Sequence, residues 1–322
     1  MANTGFPDKV RGALRELSNG YAAVTGRTVD FTHQPLGRHI EPGGLGGYYC
    51  DLRHKARYSL AVMDGEIVDE REWWIIPVAQ AALGFWELRI EGHAVDRPFL
   101  QLVDWLIERA EPFPGGGVVW SVGRPQTKYG LEPGWASAMG QGQAASALLR
   151  AHELTGRDVY LETARAALPA LLTPVANGGL HNELDGAIVL EEYPTRSPTA
   201  ILNGWIFALF GVHELATVAQ VPEARTLFDR SADGLIELLP RYDIGWWSLY
   251  SLHDHGRPDL SKPFYQRLHP VLLDGLATIR PDPLLTEYAD RWRAQITRLG
   301  IARASLDKVS FRAHRARRDS DG

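Results

Sequence analysis

Residues 132–156 read EPGWASAMGQGQAASALLRAHELTG. Small residues predominate from 135 to 154, so a helix there would let its neighbours approach closely. Gly156 is a C-cap signal that ends it. A second helix over 159–172 is its partner, and the two make a helical hairpin.

The same pairing extends in both directions. Residues 73–90 carry Ile76, Val78, Ala79, Ala82, Leu83 and Trp86 at near-helical spacing. Residues 98–110 open on a proline, tolerated in a first turn, and bear a stripe of Leu100, Val103, Leu106 and Ile107. Residues 199–220 pair with 222–239, and 262–279 with 283–299. Residues 10–24 form a further amphipathic segment. Short helices in pairs, joined by tight loops, predict a mainly α fold: an (α/α) toroid or barrel of helical hairpins, with short β-hairpins at the active-site end. No repeat strict enough for a solenoid is visible. Strands do not alternate with helices, which argues against a Rossmann-type fold. The phrase GGLGG at 43–47 lacks a strand before it and a helix after it, so it reads as a flexible loop.

Strand-like pieces interrupt the helices. Residues 117–122 are one. Residues 179–193 read as a hairpin with Asp185-Gly186 at its turn. Residues 242–252 read as another, with Gly245 in the turn region. Such interruptions would project side chains into the mouth of a rigid helical scaffold.

The bulk numbers exclude more than they assign. The chain has 322 residues, a formal charge of −5, 45% hydrophobic and 23% charged residues, which suits a soluble globular protein with a sizeable core. Mild acidity argues against nucleic-acid binding. The single cysteine, Cys50, precludes an internal disulfide and reads as a buried small hydrophobe. No signal peptide and no membrane span are visible, which leads us to expect a cytoplasmic location. Residues 1–311 are expected to form one domain, and 312–322, RAHRARRDSDG, a charged flexible tail.

The chemistry gathers in residues 191–203, EEYPTRSPTAILN, followed by Tyr250 in WWSLYSL and Tyr265 in KPFYQRLH. Three tyrosines with one or two acids are what an enzyme needs to pull a weakly acidic proton from a sugar acid and return one from the other side. The C5 hydrogen of a uronate is α to a carboxylate, so a base, an opposed acid and a charge-offsetting group are required. A phenolate is a strong enough base if its neighbours stabilise it. In a regular strand Glu191 and Tyr193 would share a face, with Glu192 opposite.

Together with LEPGWASAMGQGQA at 131–144, ILNGWIFALFGVHELA at 201–216 and LPRYDIGWWSLYSLH at 239–253, these residues resemble the C-terminal catalytic domain of the D-glucuronyl C5-epimerases over roughly 114–294. The resemblance implies an isomerase that inverts C5 of D-glucuronate units in a glycan to L-iduronate, with no cofactor. Its substrate would be a heparosan-like oligo- or polysaccharide. It implies Tyr193, Tyr250, Tyr265 and Glu192 as catalytic, Asn203 as substrate-binding, and a possible homodimer. Arg124, before EPGW, corresponds to a family arginine and is favoured for the carboxylate over Lys128, Arg196, Arg241 and Arg267. Gln141 and Gln143 are candidates for binding sugar hydroxyls or, equally, for capping buried backbone groups. Trp246 is a candidate stacking platform, and His269, four residues after Tyr265, a candidate to assist its ionisation. The family shows an arginine where this chain has His253. Animal members carry a metal-binding β-rich domain ahead of the barrel; no such metal is expected here, and His253, Asp254 and His255 read as a solvated loop. A uronate lyase, a glycoside hydrolase on the same scaffold and a non-catalytic glycan-binding module are the alternatives.

Overall fold

The computed structural model describes residues 34–56 and 74–321. The segment expected as a helix at 10–24 lies outside the described residues. The fold is mainly helical. Among the described residues, four helical hairpins follow one another. Helix α1 (Ile75–Ile90) packs on α2 (Asp96–Glu108), and α3 (Ala138–Thr155) on α4 (Asp158–Ala166), which is followed by the short α5 (Leu168–Leu172). Helix α6 (Leu202–Thr217) packs on α7 (Pro222–Tyr242), and α8 (Pro263–Ile279) on α9 (Pro283–Ala294). The leading helices α1, α3, α6 and α8 also pack against one another in that order. They form an inner row, with α2, α4, α7 and α9 outside it.

Composition explains which helix lies inside. Helices α1, α3 and α6 are buried along nearly their whole length, and their apolar residues run all round the helix. Helix α2 buries only Phe99, Leu102, Val103 and Leu106, and α4 only Tyr160 and Ala164. The small residues of α3 do what their size suggests. A Cβ on Gly142 would lie 2.9 Å from Ala208 Cα of α6, and one on Gly211 would strike the Gly142 backbone. Glycine is thus what lets these two backbones touch. Deeper in, Arg150 of α3 donates two hydrogen bonds to Glu214 of α6, at 2.8 and 2.9 Å, with both side chains 1% exposed.

Helix α3 starts at Ser137, whose Oγ accepts from the Gly140 N–H at 3.4 Å, and stops at Gly156 with φ 68°. The helix expected over 159–172 is broken between Ala166 and Leu168. Pro169 lacks an N–H and is accommodated only by a new first turn. The glycine-rich segment 43–47 is packed rather than loose, for Trp86 Nε1 of α1 donates to the Gly46 carbonyl at 3.0 Å. Cys50 is fully buried.

Among the described residues, all sheets are two-stranded and antiparallel. The expected strand 117–122 divides: β2 (Val118–Val119) pairs with β1 (Glu111–Pro112), and β3 (Ser121–Val122) with β4 (Trp135–Ala136). Strands β5 (His181–Leu184) and β6 (Ala187–Leu190) make the expected hairpin, with Asp185 and Gly186 at φ 52° and 88°. The hairpin expected over 242–252 is different. Gly245 does turn the chain, closed by an Asp243–Ser248 bridge, but β7 (Leu249–Ser251) takes its ladder partner from β8 (Asp259–Leu260). The intervening loop carries His253 and His255.

Helix α10 (Arg298–Asp321) includes the segment marked as a tail by its charge. It lies over β8 and the preceding loop: Arg257 pairs with Asp307 and Phe311 meets the His255 ring at 5.3 Å. No helix among the described residues is long and apolar enough to cross a membrane.

Candidate active site

Strand β6 ends at Leu190, so the alternation of a regular strand no longer governs Glu191, Glu192 and Tyr193. The two carboxylates part company. Glu191 is fully buried and accepts from the N–H groups of Thr199 and Ala200 at 2.9 and 3.1 Å, from Asn182 Nδ2 at 3.0 Å and from the Thr199 hydroxyl. It holds the turn in which Ala200 takes the unusual φ of 45°. Glu192 instead accepts from Asn203 Nδ2 at 3.2 Å, in the first turn of α6. A Cβ on Gly204 would collide with its carboxylate.

Four phenols are electrostatically coupled to Glu192. Tyr193 stacks on Tyr129 with ring centroids 4.7 Å apart, and Trp135 leans against Tyr193 at 5.4 Å. Tyr250 and Tyr265 form a second pair at 4.7 Å. Tyr129, Tyr250 and Ile201 make one buried cluster, with Tyr193 and Tyr265 packed on it and still partly open to solvent. Each phenol stands near the N-terminal end of an inner helix: Tyr129 in the loop before α3, Tyr193 before α6, Tyr250 on β7, and Tyr265 in the first turn of α8. Tyr129 is the residue sequence reasoning missed. Its signal was its place beside Lys128, just ahead of EPGW.

The electrostatics reverse one expectation. Burial, followed by the negative charge of Glu192, pushes the hydroxyls of Tyr193, Tyr250 and Tyr265 well above 10. Burial, Asp259 and Glu192 do the same to Tyr129. Neighbours therefore disfavour a phenolate here instead of stabilising it. Glu192 titrates nearer neutrality: burial raises it to about 7, against its hydrogen-bonding neighbours Tyr193 and Asn203 and the charge of Lys128. Burial also raises Glu191 to about 7, against its donors.

Positive charge reaches the phenols through Lys128. Its Nζ lies 4.8 Å from the Tyr129 ring centre and 4.9 Å from that of Tyr250. The same ammonium donates to Asp259 Oδ2 at 2.6 Å, while Lys308 of α10 donates to Oδ1 at 2.6 Å. Burial would raise Asp259, but Lys308 and Lys128 overcome it and hold the carboxyl well below its usual range.

The remaining expected residues divide. Asn203 joins the cluster, and His253 lies 5.8 Å from the Tyr129 ring while Nδ1 meets the Pro198 carbonyl at 3.2 Å. Arg124 and Arg196 are exposed, and Arg124 lies over Trp74 at 4.3 Å. Gln143 is fully buried within α3. Gln141 donates to the carbonyls of Val118 and Ala167, at 2.6 and 3.0 Å. His269 is also fully buried; its Nδ1 is 3.0 Å from Ser248 Oγ, and burial lowers it to about 3. It shares a helix face with Tyr265, yet one turn deeper that face meets Trp292 instead of the mouth. Trp246 lies beneath Arg303, 3.8 Å from the ring centre, and packs on Trp247. So Gln143, His269 and Trp246, expected at a substrate surface, occupy packed positions. Among the described residues no three His, Cys, Asp or Glu side chains are grouped to hold a metal ion. A cleft of about 380 Å³ lined by Glu111, Phe113, Trp135, Leu180 and Pro194 adjoins Tyr193.

A D-glucuronyl C5-epimerase of Caenorhabditis elegans is 32% identical over 219 residues, which cover 63% of this chain and 35% of that protein. An uncharacterized protein of Methanocaldococcus jannaschii is 28% identical over 180 residues, 55% of this chain and 57% of that protein. The chain thus matches about a third of the nematode relative and somewhat over half of the archaeal one. The family model for the D-glucuronyl C5-epimerase C-terminus matches residues 117–294, which include all four phenols, Glu192, Lys128 and Asp259. By that match the chain belongs to the D-glucuronyl C5-epimerase C-terminal family.

Proposed function

We propose that this chain inverts C5 of D-glucuronate units in a heparosan-like glycan, by removing the C5 proton on one face of the sugar and returning one to the other. The observation that carries the reading is the buried Glu192, raised to about 7 and electrostatically coupled to four phenols that themselves stay protonated. Such an array can take a proton at neutral pH without a resting phenolate, and a phenolate forms only transiently on the donor after it gives up its proton.

In this mechanism Tyr193 and Glu192 act as one base. The Tyr193 oxygen takes the C5 proton while its own hydroxyl proton passes to Glu192. The electron pair left at C5 moves into the adjacent carboxylate, giving an enediolate. A neutral phenol of the second pair, Tyr265 with Tyr250 behind it, then donates its proton to the opposite face. The high proton affinity of these hydroxyls suits a donor that is always loaded, and exchange with water resets both groups. Asn203 fixes the Glu192 carboxylate through Nδ2. The hairpins are proposed to close into an (α/α) toroid around this mouth; the inner row α1, α3, α6 and α8 supports that arrangement.

The test is incubation with heparosan oligosaccharides in deuterium oxide. Deuterium at C5 together with new iduronate is expected. A 4,5-unsaturated uronate would identify a lyase instead, and no exchange across a panel of uronate glycans would end the proposal.

A further inference from the structure

A glucuronate unit inside a glycan is joined to one neighbour through the oxygen on C4, next to the reacting C5, and to another through C1. A site that holds C5 beside Tyr193 must therefore receive a flanking sugar ring close by. In a heparosan-like chain that ring is an N-substituted glucosamine.

The cleft of about 380 Å³ beside Tyr193 has the place and the chemistry for it. Its volume lies in the range of small-ligand pockets, roughly 300–1,000 Å³. Pro194, the residue after Tyr193, lines it, and so does Trp135, whose ring centre is 5.4 Å from that of Tyr193. Phe113, Trp135 and Leu180 give it an apolar part, each less than a tenth exposed. Gly134 and Gly178 line it at φ 102° and 84°, and a methyl group on either would meet nothing within 4 Å. The positive φ calls for glycine, and the peptide edges of both turns are left without a side chain to cover them.

Charge in this lining is one-sided. Among the described residues it holds one ionisable side chain, Glu111 of β1, and no Lys, Arg or His. Glu111 is exposed. Ser121 Oγ of β3 donates to its Oε2 at 2.6 Å, which steadies the carboxylate and leaves Oε1 to accept from a ligand.

We infer that this cleft is the subsite for the flanking sugar, and that Glu111 makes it prefer an N-acetylated glucosamine over an N-sulfated one. An acetamido group offers its N–H to the carboxylate and its methyl to Phe113, Trp135 or Leu180. A sulfamate in the same place brings a negative charge against Glu111, with no cation in the described lining to offset it. The phenol cluster then reads the unit that reacts, and the cleft reads its neighbour. The inference rests on the glycan reading of the site given above.

The test compares two hexasaccharide probes by calorimetry at low salt, one with every glucosamine N-acetylated and the other with every glucosamine N-sulfated. The wild-type chain is expected to bind the N-acetylated probe about two- to fivefold more tightly, the reach of an exposed carboxylate, and the gap should narrow as salt screens it. Glu111→Gln should remove the preference, and Glu111→Lys should reverse it. Val175, half-buried, also lines the cleft. Val175→Trp should weaken binding of both probes and abolish the preference, so that adding Glu111→Lys to it reverses nothing. Equal binding of the two probes by the wild-type chain overturns the inference, as does a reversal by Glu111→Lys that persists when the cleft is filled. The wild-type comparison stands even if a variant does not fold. N-acetyl-selective binding that depends on Glu111, without C5 deuterium exchange, would remove the proposed reaction and leave the subsite intact. C5 exchange with binding indifferent to the N-substituent would remove the subsite and leave the reaction.

Discussion

Tyr129 lies flat against Tyr193, with ring centroids 4.7 Å apart and planes inclined by 21°. The two residues come from loops that lead into different inner helices, so the stack ties the approach to α3 to the approach to α6. It also fixes the ring of a phenol that is electrostatically coupled to Glu192. The ring of Tyr129 positions Tyr193, whereas its hydroxyl has no assigned role in the proton path.

That distinction is testable. Tyr129→Phe keeps the stack and should hold C5 exchange within about threefold of wild type, while Tyr129→Leu forfeits roughly 0.5–1.5 kcal/mol of aromatic pairing and should lower exchange about tenfold. Deuterium incorporation followed by mass spectrometry reads both. An equal loss in the two variants would assign Tyr129 to the chemistry instead.

Glu192→Gln keeps the shape and removes the base. Exchange should fall by about 10²–10⁴, the usual worth of a positioned proton-transfer group. Because Glu192 must be ionised to accept a proton, wild-type activity should rise with pH and level off above about 7. The rise should be missing from whatever residual activity the glutamine variant retains.

The same carboxylate makes stability depend on pH. Glu192 has an ordinary value of 4.5 and is raised to about 7 in the folded chain. Between those limits the folded state holds a proton that the unfolded state has released, so stability falls as pH rises from about 4.5 to about 7 and is then flat. The loss from this group is at most about 3 kcal/mol. Glu191 contributes in the same direction. Denaturant titrations at pH 5 and pH 8 should therefore differ less for Glu192→Gln than for wild type.

Gly204→Ala brings a methyl group against the Glu192 carboxylate and Cβ. Relieving that overlap must move Glu192, Asn203 or the start of α6, at a cost of about 1–3 kcal/mol. The expected outcome is a lower melting temperature together with a shifted midpoint in the pH–rate profile. Loss of stability with an unchanged midpoint would show that Glu192 stays put and the helix yields.

Arg150 and Glu214 form the buried ion pair that joins α3 to α6. Arg150→Met leaves a buried carboxylate without its partner and should destabilise the chain by about 3–5 kcal/mol by denaturant unfolding. The double change Arg150→Met, Glu214→Leu should recover much of that loss, because it removes the stranded charge as well.

Much of the fold was legible because helix periodicity and punctuation are local. Gly156 ends α3, α7 and α9 start at residues 222 and 283 as expected, and Asp185-Gly186 makes its turn. Pairing of β7 with β8 was hidden, since two strands separated by a polar loop carry no local sign of each other. The break at Ala167 could have been read from Pro169. At the site, Glu192 was singled out through the family and not through strand alternation, which stops mattering where β6 ends.

The order of residues along the chain was enough to determine a succession of helical hairpins and the family, and to single out the acid and three of the phenols that the structure brings into one cluster. Those depend on composition and spacing, which neighbours in sequence express directly. Tertiary structure alone decided that Tyr129 joins them, that Glu191 is consumed by the turn at Thr199 and Ala200, that His269 and Gln143 are enclosed, and that Lys308 reaches Asp259 from the far end of the chain. Each of these turns on burial and charge between segments distant in sequence. Desolvation and Coulomb energy follow distance in space, and sequence separation carries no record of that distance.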